Sequence, residues 1–493
     1  MKASTTEKLF SGSYLQIVSN IIQRAVGVVS TLLLARLLTP EDFGLVAIIF
    51  LTINLAEVLT ETGLQPYVVH KTVVDKQDVN SAWTLNLIFK LLATSTVIVT
   101  APFVSEYMKN PEVILPIQVV AITIIFKALK NPGIALMIKN LEYKPIVKLA
   151  VTQKLISFLI VMICAFMGLG YWSLVYGDIV AALSILVGSY HVSKYRPKMS
   201  SVRIRQQLAF TRWSFLRGFV GYIRSQIDLI LITRASPIRD LGGYHLQREL
   251  ALMPAVSLVI PAIEPFLAVV SDARREVDAF GYRIRVSIIG LLAVILPISV
   301  FIFLESLWIV SVILGDKWVS YHHLLSIFAF MFFSFCLHAL ISDLFIAAER
   351  IKMLFFLDAF SLCVLLPSLL LIEPGDMGYE IALARGIIGL LITMSTAVLL
   401  ARITAFGLLK LIRNIVPSLV ALVSAVMVFQ AALPSTEFID HGLLRLVVKT
   451  ITFFTIYVFF YLSLSLIFKK LMFENYMVCR AFWLQSIRLL GVK

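Results

Sequence analysis

Five ionisable side chains stand inside a stretch that is otherwise apolar enough to cross a membrane: Arg217, Arg224, Asp228, Arg248 and Glu249, within residues 212–249. Arg217, Gly221, Arg224 and Asp228 are spaced by 4, 3 and 4 residues, which puts all four on one face of a helix. A charge at the bilayer centre costs at least about 2.5–3.5 kcal/mol on insertion scales, so this stripe is expected to face a bundle interior or a wet cavity. Arg224 and Asp228 are also four residues apart, and mutual neutralisation within the helix is the competing use of the pair. Further cations sit in other apolar segments, at Arg24, Lys90, Lys127, Lys130, Lys154 and Arg385. Carboxylates oppose them at Glu57, Glu61, Asp178, Glu264, Glu305, Asp343 and Asp358. Glu57 and Glu61 share a helix face, suited to pairing with Arg24 or to taking a coupling H+ or Na+. Arg248 and Glu249 are adjacent in sequence and therefore point in different directions.

The elements that must hold these charges are membrane helices. Hydrophobic residues make up 59% of the 493-residue chain, charged ones 15%, and the mean hydropathy is +0.93, which excludes a soluble globular protein. Apolar runs of spanning length recur from residue 14 to residue 468, and the short alternating segments of a membrane β-barrel are absent. The expected fold is all-α and polytopic, with about fourteen transmembrane helices. The spans interrupted by charge are those near residues 113–138 and 209–270.

A net charge of +14 would suit a nucleic-acid partner, but the basic residues cluster in alternate loops. With the N-terminus in the cytoplasm, 27 Lys and Arg residues fall inside and 7 outside, the bias of the positive-inside rule. An even number of spans, with both termini cytoplasmic, follows. The four cysteines are scattered and form neither a disulfide framework nor a metal motif. The first apolar segment is too long, and too interrupted by Asn20, Gln23 and Arg24, for a cleavable signal. The sequence lacks HExxH, GxSxG, P-loop, CxxC and dinucleotide patterns, so no catalytic residue, metal ligand or cofactor is expected. Lys130-Asn-Pro-Gly133 is expected to break the fourth span and expose backbone to a cavity.

The chain also repeats itself. Arg36-Leu-Leu-Thr-Pro-Glu-Asp42-Phe-Gly44 follows the first span, and Arg234-Ala-Ser-Pro-Ile-Arg-Asp240-Leu-Gly242 follows the seventh. In both, Arg to Asp is six residues and Asp to Gly is two; Leu64-Gln-Pro66 then answers Ile263-Glu-Pro265. The offset is about 198 residues, and both copies begin with a span of the same direction, so a parallel duplication is expected. Asp42, Gly44, Asp240 and Gly242 read as turn and cap residues rather than ligands. The expected division is a first lobe over 1–200 (spans 1–6), a second over 201–405 (spans 7–12), spans 13–14 over 406–470, and an amphipathic cytoplasmic tail over 471–493 that anchors at the membrane interface.

The segment Leu34-Ala-Arg-Leu-Leu-Thr-Pro-Glu-Asp-Phe-Gly-Leu45 resembles the opening signature of polysaccharide-exporting flippases of the Wzx and WzxC type, in the multidrug/oligosaccharidyl-lipid/polysaccharide superfamily. Gln226-Ile-Asp228, Gly242-Gly-Tyr244 and the prolines Pro254, Pro261 and Pro265 extend the resemblance into the second half. It implies two six-helix lobes plus two C-terminal helices around a cavity that opens alternately to each side. The implied cargo is an oligosaccharide on an undecaprenyl-diphosphate carrier, flipped to the outer leaflet of a bacterial cytoplasmic membrane for surface polysaccharide assembly.

Such a cargo brings negative charge into the membrane, which Arg or Lys groups must compensate. Nine cations against nine anions balance by count, so position has to discriminate. Arg24 and Arg224 both fall near mid-span, on the helices that open the two halves. With Arg217 and Arg248 they form the expected headgroup site; Glu57, Glu61, Asp228 and Glu249 are the expected coupling or charge-pair residues. Expected partners are the lipid-linked oligosaccharide, membrane lipids and a glycan polymerase or export machinery, with no nucleic acid. Two other readings stand beside this one: an ion-coupled multidrug or organic-cation antiporter of the same superfamily, and a membrane-embedded glycan polymerase, whose usual large outer loop is missing here.

Overall fold

The computed structural model describes residues 5–273, 276–372, 378–404, 406–432 and 442–489, with the side chain of Arg217 outside the description. All regular structure among these residues is helical. Contacts divide the chain into two compact units, Met1–His245 with Asp376–Gly378, and Leu246–Gly375 with Tyr379–Lys493.

Unit one contains α1 (Thr5–Leu37), α2 (Pro40–Leu59), α3 (Leu64–His70), α4 (Lys76–Tyr107), α5 (Ile114–Leu129), α6 (Gly133–Lys139), α7 (Tyr143–Phe166), α8 (Trp172–Val192), α9 (Ile204–Ala235) and the start of α10 (Ile238–Pro254). Unit two contains the remainder of α10, then α11 (Ile260–Asp272), α12 (Val277–Ile313), α13 (His322–Ala347), α14 (Ile351–Leu370), α15 (Tyr379–Thr404), α16 (Leu408–Ala432), α17 (Gly442–Ile467) and α18 (Phe473–Leu489). Thirteen segments among the described residues are long and apolar enough to cross a membrane. The remaining expected span is α9, which has 32 residues, long enough for a bilayer, but carries the charged stripe that lowers its hydropathy.

Local chemistry explains the boundaries. Thr39 caps α2: its hydroxyl accepts the Asp42 N–H at 3.2 Å while Asp42 accepts the Thr39 N–H at 2.9 Å, with Pro40 at the first helical position. The other Asp42 oxygen accepts the Tyr171 N–H at 3.0 Å, tying the α2 turn to the start of α8. Asp42 is therefore a cap, as its sequence context implies. Asp75 and Asp78 form the same reciprocal box at the start of α4.

The fourth span is interrupted as the sequence suggests, and the eighth, which the sequence marks only by its prolines, runs on through a π-helical turn. The fourth consists of α5 and α6, parted at Lys130-Asn-Pro. The eighth consists of α10 and α11, joined through a π-helical turn, Ala255–Val259, just after Pro254. Unit two packs around a core from α11 to α16 that includes Phe280, Ile288, Phe332, Phe345 and Phe406. The tail helix α18 enters this unit: Glu474, Asn475, Val478 and Cys479 are buried. Arg285 of α12 donates from Nε to both Glu474 oxygens, at 2.8 and 2.9 Å, and Tyr461 donates to Asn475 at 2.8 Å. The first turns of the tail are thus structural parts of unit two.

Candidate functional site

The charged stripe of α9 passes from open to closed surroundings. At Gly221 nothing lies within 4 Å of where a Cβ would be, and Arg224 is half-buried. One turn further, Asp228 is fully buried and accepts the Tyr244 hydroxyl of α10 at 2.9 Å. The neighbouring face of α9 packs on α2, where Tyr222 donates to the Leu51 carbonyl at 2.6 Å. Arg24 of α1 is half-buried in the same unit, and Lys154 of α7 ends 3.9 Å from the Cβ position of Gly27, one turn from Arg24. Arg248 is buried in unit two, and Glu249 beside it is exposed. The side chain of Arg217 lies outside the described residues.

The acidic candidates have definite roles. Glu57 accepts Lys127 of α5 at 2.8 Å, and Lys127 also faces Asp178 of α8 at 3.6 Å. One ammonium thus bridges two carboxylates from separate helices. Glu61 is exposed and accepts the Gly63 N–H at 3.0 Å, in the turn where Gly63 adopts φ +64°. Its described contact is a backbone one.

Glu61, Lys127 and Asp178 border a cavity of about 510 Å³ inside unit one. Its walls come from α4 (Trp83, Asn86, Lys90), the α5–α6 break (Lys127, Lys130, Asn131), α7 (Gln153) and α8 (Asp178), with Glu61 and Gln65 at the α2–α3 turn. A pocket of this size, in a bundle of otherwise apolar helices, falls in the range of small-ligand sites.

The break that opens it is held by Asn131, which is 1% exposed. Its backbone N–H reaches Ser189 Oγ at 2.9 Å, and its Oδ1 accepts the Gly133 N–H at 2.9 Å. Its Nδ2 donates to the carbonyls of Ser193 and Tyr195 at 3.2 and 2.8 Å. Tyr190 donates its hydroxyl to the Leu129 carbonyl, which the helix end leaves without its usual partner. Non-helical backbone at membrane depth persists only where neighbours satisfy it or where it lines a cavity, and here both hold.

The lysines of the cavity differ in their compensation. Lys127 is held by Glu57 and Asp178, whereas Lys90 and Lys130 make no side-chain hydrogen bond or ion pair among the described residues. Lys90 is 8% exposed, as is Trp83, whose buried indole N–H has no acceptor among the described residues. The charge inventory of the sequence included all three lysines. It passed over Trp83, Asn86, Gln65 and Gln153, whose only signal is polarity within apolar spans.

Residues 33–323, which contain both turn motifs, match the family described as "Polysaccharide biosynthesis protein". The chain is 21% identical over 394 residues to the lipopolysaccharide biosynthesis protein WzxC of Escherichia coli (strain K12), covering 78% of each chain. It superposes on a structure of the lipid II flippase MurJ, in an inward closed conformation, with a TM-score of 0.70 at 15% identity, covering 92% of this chain and 99% of that one. An inward-facing multidrug resistance transporter of the MATE family and the MOP superfamily superposes with a TM-score of 0.58 at 14% identity, over 78% of this chain and 95% of that one. With both structures the likeness is one of fold.

Proposed function

We propose, from the premise that this chain belongs to the polysaccharide biosynthesis protein family, that it moves a lipid-linked oligosaccharide across the bacterial cytoplasmic membrane for surface polysaccharide assembly. The cargo is a glycan on an undecaprenyl-diphosphate carrier, passed from the inner to the outer leaflet by alternating access. The observation that carries this reading is the break at Lys130–Pro132, which opens a polar cavity inside an apolar bundle. A polar headgroup can enter such a cavity while its lipid tail stays in the bilayer. The distribution of basic residues supports a cytoplasmic N-terminus, and this orientation assigns the cavity to the inner half of the membrane. That is the leaflet from which the cargo starts.

Arg24, Arg217, Arg224 and Arg248 are assigned to the diphosphate during its passage, since guanidiniums match phosphate oxygens in pairs and remain charged when buried. Coupling to H+ or Na+ belongs with the acidic groups: Glu57 and Asp178, which share Lys127, and the buried Asp228. A polymerase or export machinery is the partner that takes the product.

Deleting the gene is expected to remove the surface polysaccharide and to leave its lipid-linked unit inside. Complementation at matched protein levels tests the site. Arg24→Ala and Arg224→Ala are each expected to lower export at least about tenfold, the effect of losing one charged hydrogen bond. Unchanged surface glycan after deletion overturns the function; undiminished export by both variants overturns the site. The second reading, a multidrug antiporter, draws on the carboxylates of the cavity and predicts drug sensitivity on deletion. Lys127, placed between Glu57 and Asp178, opposes an organic cation there.

A further inference from the structure

We infer that the cavity of unit one is a phosphate-binding station, built on Lys90 and Lys130 and separate from the arginines of α1 and α9. The inference relies on the transport reading for the source of the phosphate and not for its binding. Two ammonium groups line one half-enclosed space without a carboxylate partner among the described residues. Glu57 and Glu61 attract Lys90 only from beyond ion-pair distance, so both ammonium groups keep their hydrogen-bond donors for an anion in the cavity. The third lysine differs, because Lys127 is already matched by Glu57 and Asp178.

The remaining lining fixes the chemistry of the ligand. Asn86, Gln65 and Gln153 line the cavity with amides. Asn86 Oδ1 is already engaged by Thr62, at 3.2 Å, which leaves its NH2 group to donate. The site is rich in donors, and a ligand made of acceptor oxygens with negative charge answers it. A sugar hydroxyl uses donors but needs no ammonium pair, and a metal or organic cation is repelled by both lysines. Glu61 also lines the cavity, with its Oε1 turned to Gly63 N–H. Phosphate can arrive as a carrier-lipid headgroup or as a free anion, and the recognition is the same.

The test measures binding to the purified full chain in detergent by calorimetry, with three probes: inorganic pyrophosphate, undecaprenyl diphosphate, and the free oligosaccharide without phosphate. Both phosphate probes are expected to bind, and the oligosaccharide not at this site. Lys90→Gln and Lys130→Gln are each expected to weaken phosphate binding about tenfold, with Lys90→Arg retaining most of it. Binding of the lipid alone identifies the headgroup as the source, and equal binding of pyrophosphate identifies the free anion. Unchanged phosphate affinity in the folded Lys90→Gln/Lys130→Gln double variant overturns the station, as does binding of oligosaccharide in place of phosphate. Export in cells is read separately, so a transporter without this station and a phosphate binder that does not transport give different results.

Discussion

Replacing Asn131 by Ala removes the side chain that holds the helix break open, and its consequence can be worked through bond by bond. Three hydrogen bonds of a residue 1% exposed are lost. The carbonyls of Ser193 and Tyr195 each keep a second donor, Arg196 Nη1, at 2.9 Å, so they are not stranded. The Gly133 N–H has no such substitute and becomes a buried donor without an acceptor, at about 1–3 kcal/mol. Adding a few tenths to about 1 kcal/mol for the two weakened carbonyl contacts gives a loss of about 1.3–4 kcal/mol for unit one. A domain of this size shifts by about 2–4 °C per kcal/mol, so thermal unfolding in detergent is expected about 3–16 °C lower. Asn131→Asp is expected to be worse, because a carboxylate then faces two carbonyls that require a donor. Export should fall in both variants beyond any loss of protein, since Lys130 is displaced with the break. A melting point unchanged within about 1 °C for Asn131→Ala refutes this account of the break.

Three further outcomes follow from buried contacts. Lys449 and Glu305, both 4% exposed at the side chain, pair at 2.7 Å between α17 and a non-helical residue of α12; Lys449→Met is expected to destabilise unit two by about 3–5 kcal/mol, whereas Lys449→Met with Glu305→Met recovers most of it in a denaturant titration. Arg285→Ala strands Glu474 beside α12, so α18 is expected to become sensitive to limited proteolysis at concentrations of protease that leave the wild type intact. Tyr244→Phe removes the hydroxyl donated to the buried Asp228 and is expected to lower stability by about 1.5–3 kcal/mol, measured by unfolding in detergent.

The membrane bundle is legible in the sequence because each span must bury a run of apolar side chains in lipid, and that requirement is local. The broken fourth helix is legible for the same reason: Pro132 removes a donor and Gly133 follows it, whatever packs nearby. The helix α9 is legible through its charges, and these same charges keep it apart from the thirteen apolar segments. What joins Glu57, Lys127 and Asp178 is not local. They come from α2, α5 and α8, and only the packing of three helices decides that Lys127 makes ion pairs while Lys90 makes none among the described residues. Trp83 is neutral and carries no charge to flag it in an apolar span, and Asn131 is legible as part of the Lys130-Asn-Pro-Gly133 break but not as the side chain that holds it. The offset of 198 residues was readable, but that Gly44 sits on the carbonyl of Ile238, and Gly242 on that of Pro40, depends on close approach of two backbones distant in sequence.

The central claim is that this chain moves a lipid-linked glycan between leaflets, and reconstitution tests it most directly. Full-length protein is placed in liposomes containing undecaprenyl-diphosphate-linked oligosaccharide, and the fraction of glycan reachable by an external glycosidase is followed under an imposed H+ or Na+ gradient. The account predicts that glycan initially confined to one leaflet becomes reachable from the other in protein-containing liposomes, and about tenfold more slowly with Arg24→Ala or Arg224→Ala. Glycan that stays in its original leaflet with folded wild-type protein, under either gradient, contradicts it.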